Sequence, residues 1–191
     1  MRIVVIAGPP GIGKSTHSKA MVPLGVPIVD QDLAAYQYKK RRFVDYQDIA
    51  SVVSNQQVRD FLLKDEDFAL ELNLGFESHY HYLRSIVGFR HDNQVKLVMF
   101  FTDTMQLCLD RAAIRYRNGG HEVKPEVVSE MYRNTFLLFE RNKSLFNEVV
   151  LVDVTPQWVT ILTTETGKLP DWVVEHTRNL SSVKAGWVTR R

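Results

Sequence analysis

The 191 residues, 45% hydrophobic and 24% charged, have the length and composition of one soluble globular domain with a substantial core. A formal charge of +2 is too near neutral for nucleic acid or an anionic membrane to be the main partner, and no run of about 18 apolar residues spans a bilayer. The single cysteine, Cys108, excludes an internal disulfide and a cysteine-rich metal site; between Leu107 and Leu109 it reads as a buried thiol of a cytoplasmic protein. Residues 3–7 form a β-branched run of the kind buried on both faces in a parallel sheet, rather than the apolar segment of a signal peptide. A glycine-rich turn follows, then a helix over 14–21 that Pro23 and Gly25 stop. Residues 27–29 predict a second strand, with Asp30 and Asp32 just past its end. Residues 36–48 are polar, basic and aromatic with weak periodicity, so helix is expected only over about 49–64.

Residues 68–76 read as a third strand ending at Glu77-Ser78, 80–89 as a helix and 95–101 as a fourth strand. Met105, Cys108, Leu109, Ala112 and Ala113 recur at helical spacing behind a cap at Asp103 or Thr104, and Asn118-Gly119-Gly120 ends that helix. Pro125 opens another helix, with Val127, Val128, Met131 and Leu138 facing inward. A fifth strand is expected over 149–154, a sixth over 158–164 and a last helix over 170–178. Strands alternating with helices predict an α/β sandwich with a largely parallel sheet.

Between the first strand and first helix, Gly8-Pro9-Pro10-Gly11-Ile12-Gly13-Lys14-Ser15 satisfies the pattern G-x-x-x-x-G-K-[ST]. A triphosphate is a dense cluster of negative charge. Glycines let the backbone curl so that successive N–H groups point inward, and the helix that follows adds its positive end. Lys14 is placed to reach the β- and γ-phosphates, Ser15 to ligate magnesium and Thr16 to donate to the α-phosphate. The expected fold is therefore a P-loop NTPase three-layer sandwich with a largely parallel five-stranded sheet, of the small-kinase type. One domain covers 1–191, with an arginine-bearing lid over about 111–125 and a C-terminal hairpin and helix over about 149–191.

Phosphoryl transfer to an alcohol benefits from a carboxylate that accepts the hydroxyl proton, expected at the carboxyl end of a strand beside this loop. Asp30, Asp32, Glu77 and Asp103 all follow predicted strands, and each also fits a helix cap or solvated loop. Arg111, Arg115 and Asn118 share one helical face, as phosphate-binding arginines or a solvated basic face, and Gly119-Gly120 would let the segment hinge. His121 fits either a phosphate contact or the helix end; His79, His81 and His91 are too loosely spaced for a metal site.

The chain resembles the zeta-toxin-like group of P-loop kinases, in its Gly-Gly-His subgroup, across most of its length. Four segments carry the likeness: the loop 8–16; Val29-Asp30-Gln31-Asp32-Leu33-Ala34; Asn73-Leu74-Gly75-Phe76-Glu77-Ser78, similar to a Phe-Glu-Thr-Thr stretch; and the arginine helix from Asp110 that runs into Gly119-Gly120-His121. The resemblance implies ATP- and Mg2+-dependent phosphorylation of a hydroxyl, with Asp32 as base and Asp30 in reserve. It also implies Arg111 and Arg115 as phosphate ligands and Glu77 as a substrate or magnesium-shell residue. Well-known members phosphorylate the amino sugar of UDP-N-acetylglucosamine, and some are toxins paired with an antitoxin protein. Pro9-Pro10, Ser78 and Glu130 depart from the family pattern and 36–67 matches it poorly, which leaves the acceptor open. A nucleoside, nucleotide or polynucleotide 5′-kinase would use the same parts, and a nucleotide-dependent switch or toxin module would need the loop without the base.

Overall fold

The structure is a computed structural model that describes residues 1–155 and 160–163. Its centre is β1 (Arg2–Ala7), whose Ile3 to Ala7 are all buried. A strand apolar on both faces must be covered on both, and the chain meets that need with helices above and below a sheet ordered β2-β3-β1-β4-β5-β6. Here β2 is Ile28–Val29, β3 Phe68–Glu71, β4 Gln94–Phe101, β5 Glu148–Asp153 and β6 Thr160–Thr163. The first five strands are parallel, as expected, and β6 adds an antiparallel edge beside β5.

Alternation along β1 divides the core. Ile3, Val5 and Ala7 face α3 (Tyr46–Lys64), α4 (Glu77–Val87) and α6 (Pro125–Asn142) through Val58, Leu62, Tyr80, Leu83, Phe136 and Phe139. Val4 and Ile6 face the opposite layer, where Cys108 and Ala112 of α5 (Met105–Arg117) pack with Ile12 and Phe100. Connections from β1 and β3, which are neighbours, leave in opposite directions toward β2 and β4. That reversal opens a crevice at their carboxyl ends, where ligands of such sheets bind.

Three local expectations need correction. The third strand stops at Glu71 rather than running to 76, because Leu74 takes a left-handed φ of 50° that no strand can hold. The segment 36–48, expected as irregular, includes the second half of α2 (Gln31–Lys40), which Asp30 starts by accepting from the Leu33 amide at 2.9 Å. Ala113 is exposed, since α5 seats only a narrow stripe centred on Cys108 and Ala112. The helix expected over 170–178 lies outside the described residues.

The turn after β1 is wedged under α5. Gly11 has φ 81°, and a methyl group there would drive into the Cys108 carbonyl. Gly25 has a similar φ of 88° with open space around it. Gly25→Ala should therefore cost only the left-handed backbone, about 1–2 kcal/mol. Gly11→Ala should cost about 1–3 kcal/mol more by forcing α5 off the sheet. Urea unfolding of the two variants measures the difference; equal losses would show that α5 is not seated on the turn.

Candidate functional site

The turn's geometry is set by glycines where no side chain fits. Gly8 (φ 141°) lies so close to the Phe100 carbonyl that a Cβ would approach it to 2.6 Å, and Gly13 (φ 102°) is the residue before α1 (Lys14–Met21). Gly13 offers no side-chain cap; its carbonyl accepts from the Thr16 amide at 3.1 Å, and the amides of Lys14 and Ser15 are left for another acceptor. Pro9 and Pro10 are buried and bring no N–H of their own, so the donors of this turn come from the residues after them.

Lys14 is 7% exposed. Its ammonium donates to the Gly8 carbonyl at 2.7 Å, the Pro9 carbonyl at 3.3 Å and Asn73 Oδ1 at 2.7 Å. All three acceptors are neutral, so burial lowers its pKa while the carboxylates of Glu71 and Asp32 raise it. The result is a positive charge fixed beneath the turn, oriented by hydrogen bonds but not neutralised by them.

Its neighbour Ser15 is exposed and donates from Oγ to Glu71 Oε1 at 2.9 Å. Glu71 closes β3, the strand beside β1, which puts its carboxyl at the mouth of the crevice. Its Oε2 is buried without a partner, and burial pushes its pKa up to about 7 against the opposing pull of Lys14. A serine hydroxyl and an orphaned carboxylate oxygen are the hard donors that magnesium takes, so these residues fit the ion. Just beyond, Leu74 is wholly buried in its left-handed conformation, a strain that fixes Asn73 against Lys14. Glu71 and Asn73 were missed in the sequence because the predicted strand ran past them; the signal was the polar pair breaking the apolar run after Leu70.

Asp30 and Asp32 both come to this crevice, in different states. Asp30 is half-buried, spent on the cap of α2, and burial raises its pKa. Asp32, in the first turn of α2, is 50% exposed with the nearer nitrogen of His121 at 3.9 Å. Burial lowers the His121 pKa, so at neutral pH the imidazole is uncharged and the contact is not an ion pair. The adjoining Gly120 carbonyl accepts from Lys39 at 3.4 Å, which brings the end of α2 against the same segment.

From the other side, α5 supplies the arginines. Arg111 donates to the Ile12 carbonyl at 3.3 Å. Arg115 has Nε and one terminal nitrogen buried with no partner. A guanidinium in that condition has buried N–H groups to offer an anion. Gly119 (φ 89°) ends α5: its amide bonds the Tyr116 carbonyl and that of Gly120 the Arg115 carbonyl, closing the helix around the arginine's own backbone.

Glu77 is not brought to this group. It opens α4 and lies 3.9 Å from Arg141 of α6, because the loop 72–76 separates it from the end of β3. His79, set aside in the sequence, is instead close enough to Lys14 and Asp32 for both to act on its pKa, which burial lowers; its Nδ1 is buried and unpartnered.

No protein-family model matches the chain, and no curated protein does. Among solved structures, a putative kinase from Chloroflexus aurantiacus superposes with a TM-score of 0.58 at 14% identity, over 95% of this chain and 98% of that one. The complex of AvrRxo1-ORF1 and -ORF2 with ATP gives 0.64 at 13% identity over 84% of this chain, which spans 57% of that one. The PezAT chromosomal toxin–antitoxin system of Streptococcus pneumoniae gives 0.57 at 13% identity, over 94% and 85%. Fold and loop together define the class: an α/β protein with the fold of the P-loop kinases. Among the described residues no helix is long and apolar enough to cross a membrane.

The raised pKa of Glu71 has a testable sign. The fold favours its neutral form, so its contribution is complete below about 4.5, the ordinary value, and is lost as pH rises toward 7. Without divalent ions, Glu71→Gln should match the wild type near pH 4.5 and exceed it by on the order of 2 kcal/mol at about pH 8 in urea unfolding. A constant difference across that range would mean the carboxyl titrates normally.

Proposed function

We propose that the protein is an ATP- and magnesium-dependent kinase that transfers the γ-phosphoryl group to a hydroxyl of a small acceptor. The observation that carries this is the buried, un-neutralised Lys14 ammonium beside the Ser15–Glu71 pair at the end of β3. The loop 8–16 would take the phosphates: the amides of Gly13, Lys14 and Ser15 at the start of α1 would donate to the anion, Lys14 would lie under its terminal groups, and Arg115 and Arg111 would approach from α5. Ser15 and Glu71 would hold magnesium, which when bound neutralises phosphate charge and polarises the group being transferred.

Asp32, exposed at the rim and not committed to a cap, takes the proton of the acceptor hydroxyl. The hydroxyl oxygen forms its bond to the γ-phosphorus as the bond to the bridging oxygen of ADP breaks, and Arg115 balances the charge on the departing and arriving oxygens. Asp30 holds α2, and so Asp32, in place. His121 and His79, neutral at pH 7, are donors or acceptors to the acceptor rather than fixed charges. The relatives in structure support this reading: one is described as a putative kinase and another was crystallised with ATP.

The test is ADP production from ATP and Mg2+ over a panel of UDP-sugars, nucleosides, 5′-hydroxyl oligonucleotides and small alcohols. Asp32→Asn should lower acceptor-dependent turnover by about 10²–10⁴-fold with ATP affinity unchanged. Arg115→Met should lower turnover by about 10³-fold, with Arg115→Lys recovering part of it. Normal turnover by Asp32→Asn would remove it from the mechanism, and ATP binding with no acceptor-dependent turnover would favour a nucleotide-dependent switch.

A further inference from the structure

The backbone on either side of Asn73 is clamped. The Leu72 amide donates to the Ile6 carbonyl at 2.9 Å, and Leu74 is wholly buried at its left-handed φ of 50°. Gly75 is pressed on α6, where a methyl group would come within 2.6 Å of Met131 Cβ. Leu70, Leu72 and Leu74 pack into the layer of α3, α4 and α6, while Glu71 and Asn73 reach Ser15 and Lys14 on the crevice side. Asn73 is therefore a polar side chain on a rigid mount, in direct contact with the ammonium that the phosphates need.

Its amide can be oriented only one way. Lys14 has N–H groups and no acceptor, so the atom 2.7 Å from its ammonium is Oδ1, and Nδ2 is left to donate elsewhere. Nδ2 makes no hydrogen bond among the described residues and keeps solvent contact. Lys14 spends its N–H groups on Gly8, Pro9 and Asn73, and the Pro9 contact, at 3.3 Å, is the longest. A phosphate oxygen would take that N–H most readily, leaving Lys14 held between Gly8 and Asn73. Glu71, whose charge acts on the same ammonium, has Oε2 buried without a partner. A donor with no acceptor and a carboxylate oxygen with no partner thus flank one cation. A phosphoryl group that carries Mg2+ would satisfy both, the metal at Glu71 and a phosphate oxygen at Asn73.

We propose that Asn73 reads the terminal phosphate of the nucleotide: Oδ1 holds Lys14 in place, and Nδ2 donates to a γ-phosphoryl oxygen. The inference rests on the kinase reading above. Neutrality of the amide matters as much as its shape. An aspartate in its place would pair with Lys14, cancel the charge and turn a second negative oxygen toward the phosphate. ADP ends at the β-phosphate and leaves Nδ2 unpartnered, so Asn73 favours a triphosphate over a diphosphate.

The test is calorimetric titration of the wild type, Asn73→Leu and Asn73→Asp, three side chains of nearly one shape, with Mg2+ present throughout. Each is titrated with the β,γ-imido analogue of ATP and with ADP. Asn73→Leu should weaken the analogue by about tenfold and ADP by less than about twofold. Asn73→Asp should weaken the analogue by about a hundredfold, because Lys14 is then neutralised as well. Asn73→Ser, whose hydroxyl both accepts and donates, should recover part of the preference lost in Asn73→Leu. The ratio of the two affinities is taken within one folded protein, so a loss of stability does not mimic the result. Equal weakening of both nucleotides by Asn73→Leu, or an Asn73→Asp variant that binds the analogue as tightly as Asn73→Leu does, would overturn the assignment. Failure of the wild type to bind either nucleotide would instead overturn the kinase reading, and the inference with it.

Discussion

The site depends on one buried ammonium. Lys14 is taken out of water with only neutral oxygens as direct partners, an arrangement that costs free energy unless something nearby repays it. Each surrounding feature bears on that charge. The turn supplies two carbonyls, β3 supplies Asn73, and Glu71 and Asp32 supply the negative field. A bound polyphosphate would supply the rest, so affinity for the ligand and tolerance of the buried lysine have one physical origin.

The sheet order explains why these groups meet. With β3 and β1 adjacent and parallel, Ile6 pairs with Glu71, so the carboxyl group lies beside the start of the turn by register rather than by a long loop. On the opposite side, α5 presses the Cys108 carbonyl against Gly11 and carries Arg111 and Arg115 on the same rigid element. The turn therefore sits between a carboxylate wall and a guanidinium wall.

Much of this was legible in the residues. The loop 8–16 carries its mechanism in its types and spacing, and β1, β4 and β5 announce themselves as continuous apolar runs. What escaped was decided by local backbone and tertiary contact. Tyr36 to Lys40 belong to a helix that buries Ala35 and little else, so its pattern is faint, and its start is set by the Asp30 cap. Glu71 was passed over in favour of Glu77 because a strand running to 76 hid its true end; only the left-handed Leu74 reveals where the strand stops. Arg115 was readable as a basic residue on a helical face, but that its nitrogens are buried and unpartnered is a property of the packed site alone.

The central claim is that Ser15 and Glu71 form the magnesium site of a nucleotide bound over Lys14. Calorimetric titration with ATP, with and without Mg2+, for the wild type and Glu71→Gln tests it most directly. The account predicts that Mg2+ tightens ATP binding to the wild type by about tenfold, near 1.4 kcal/mol, and has little effect on the variant. An equal gain in both proteins would contradict it, and would place the metal elsewhere in the crevice.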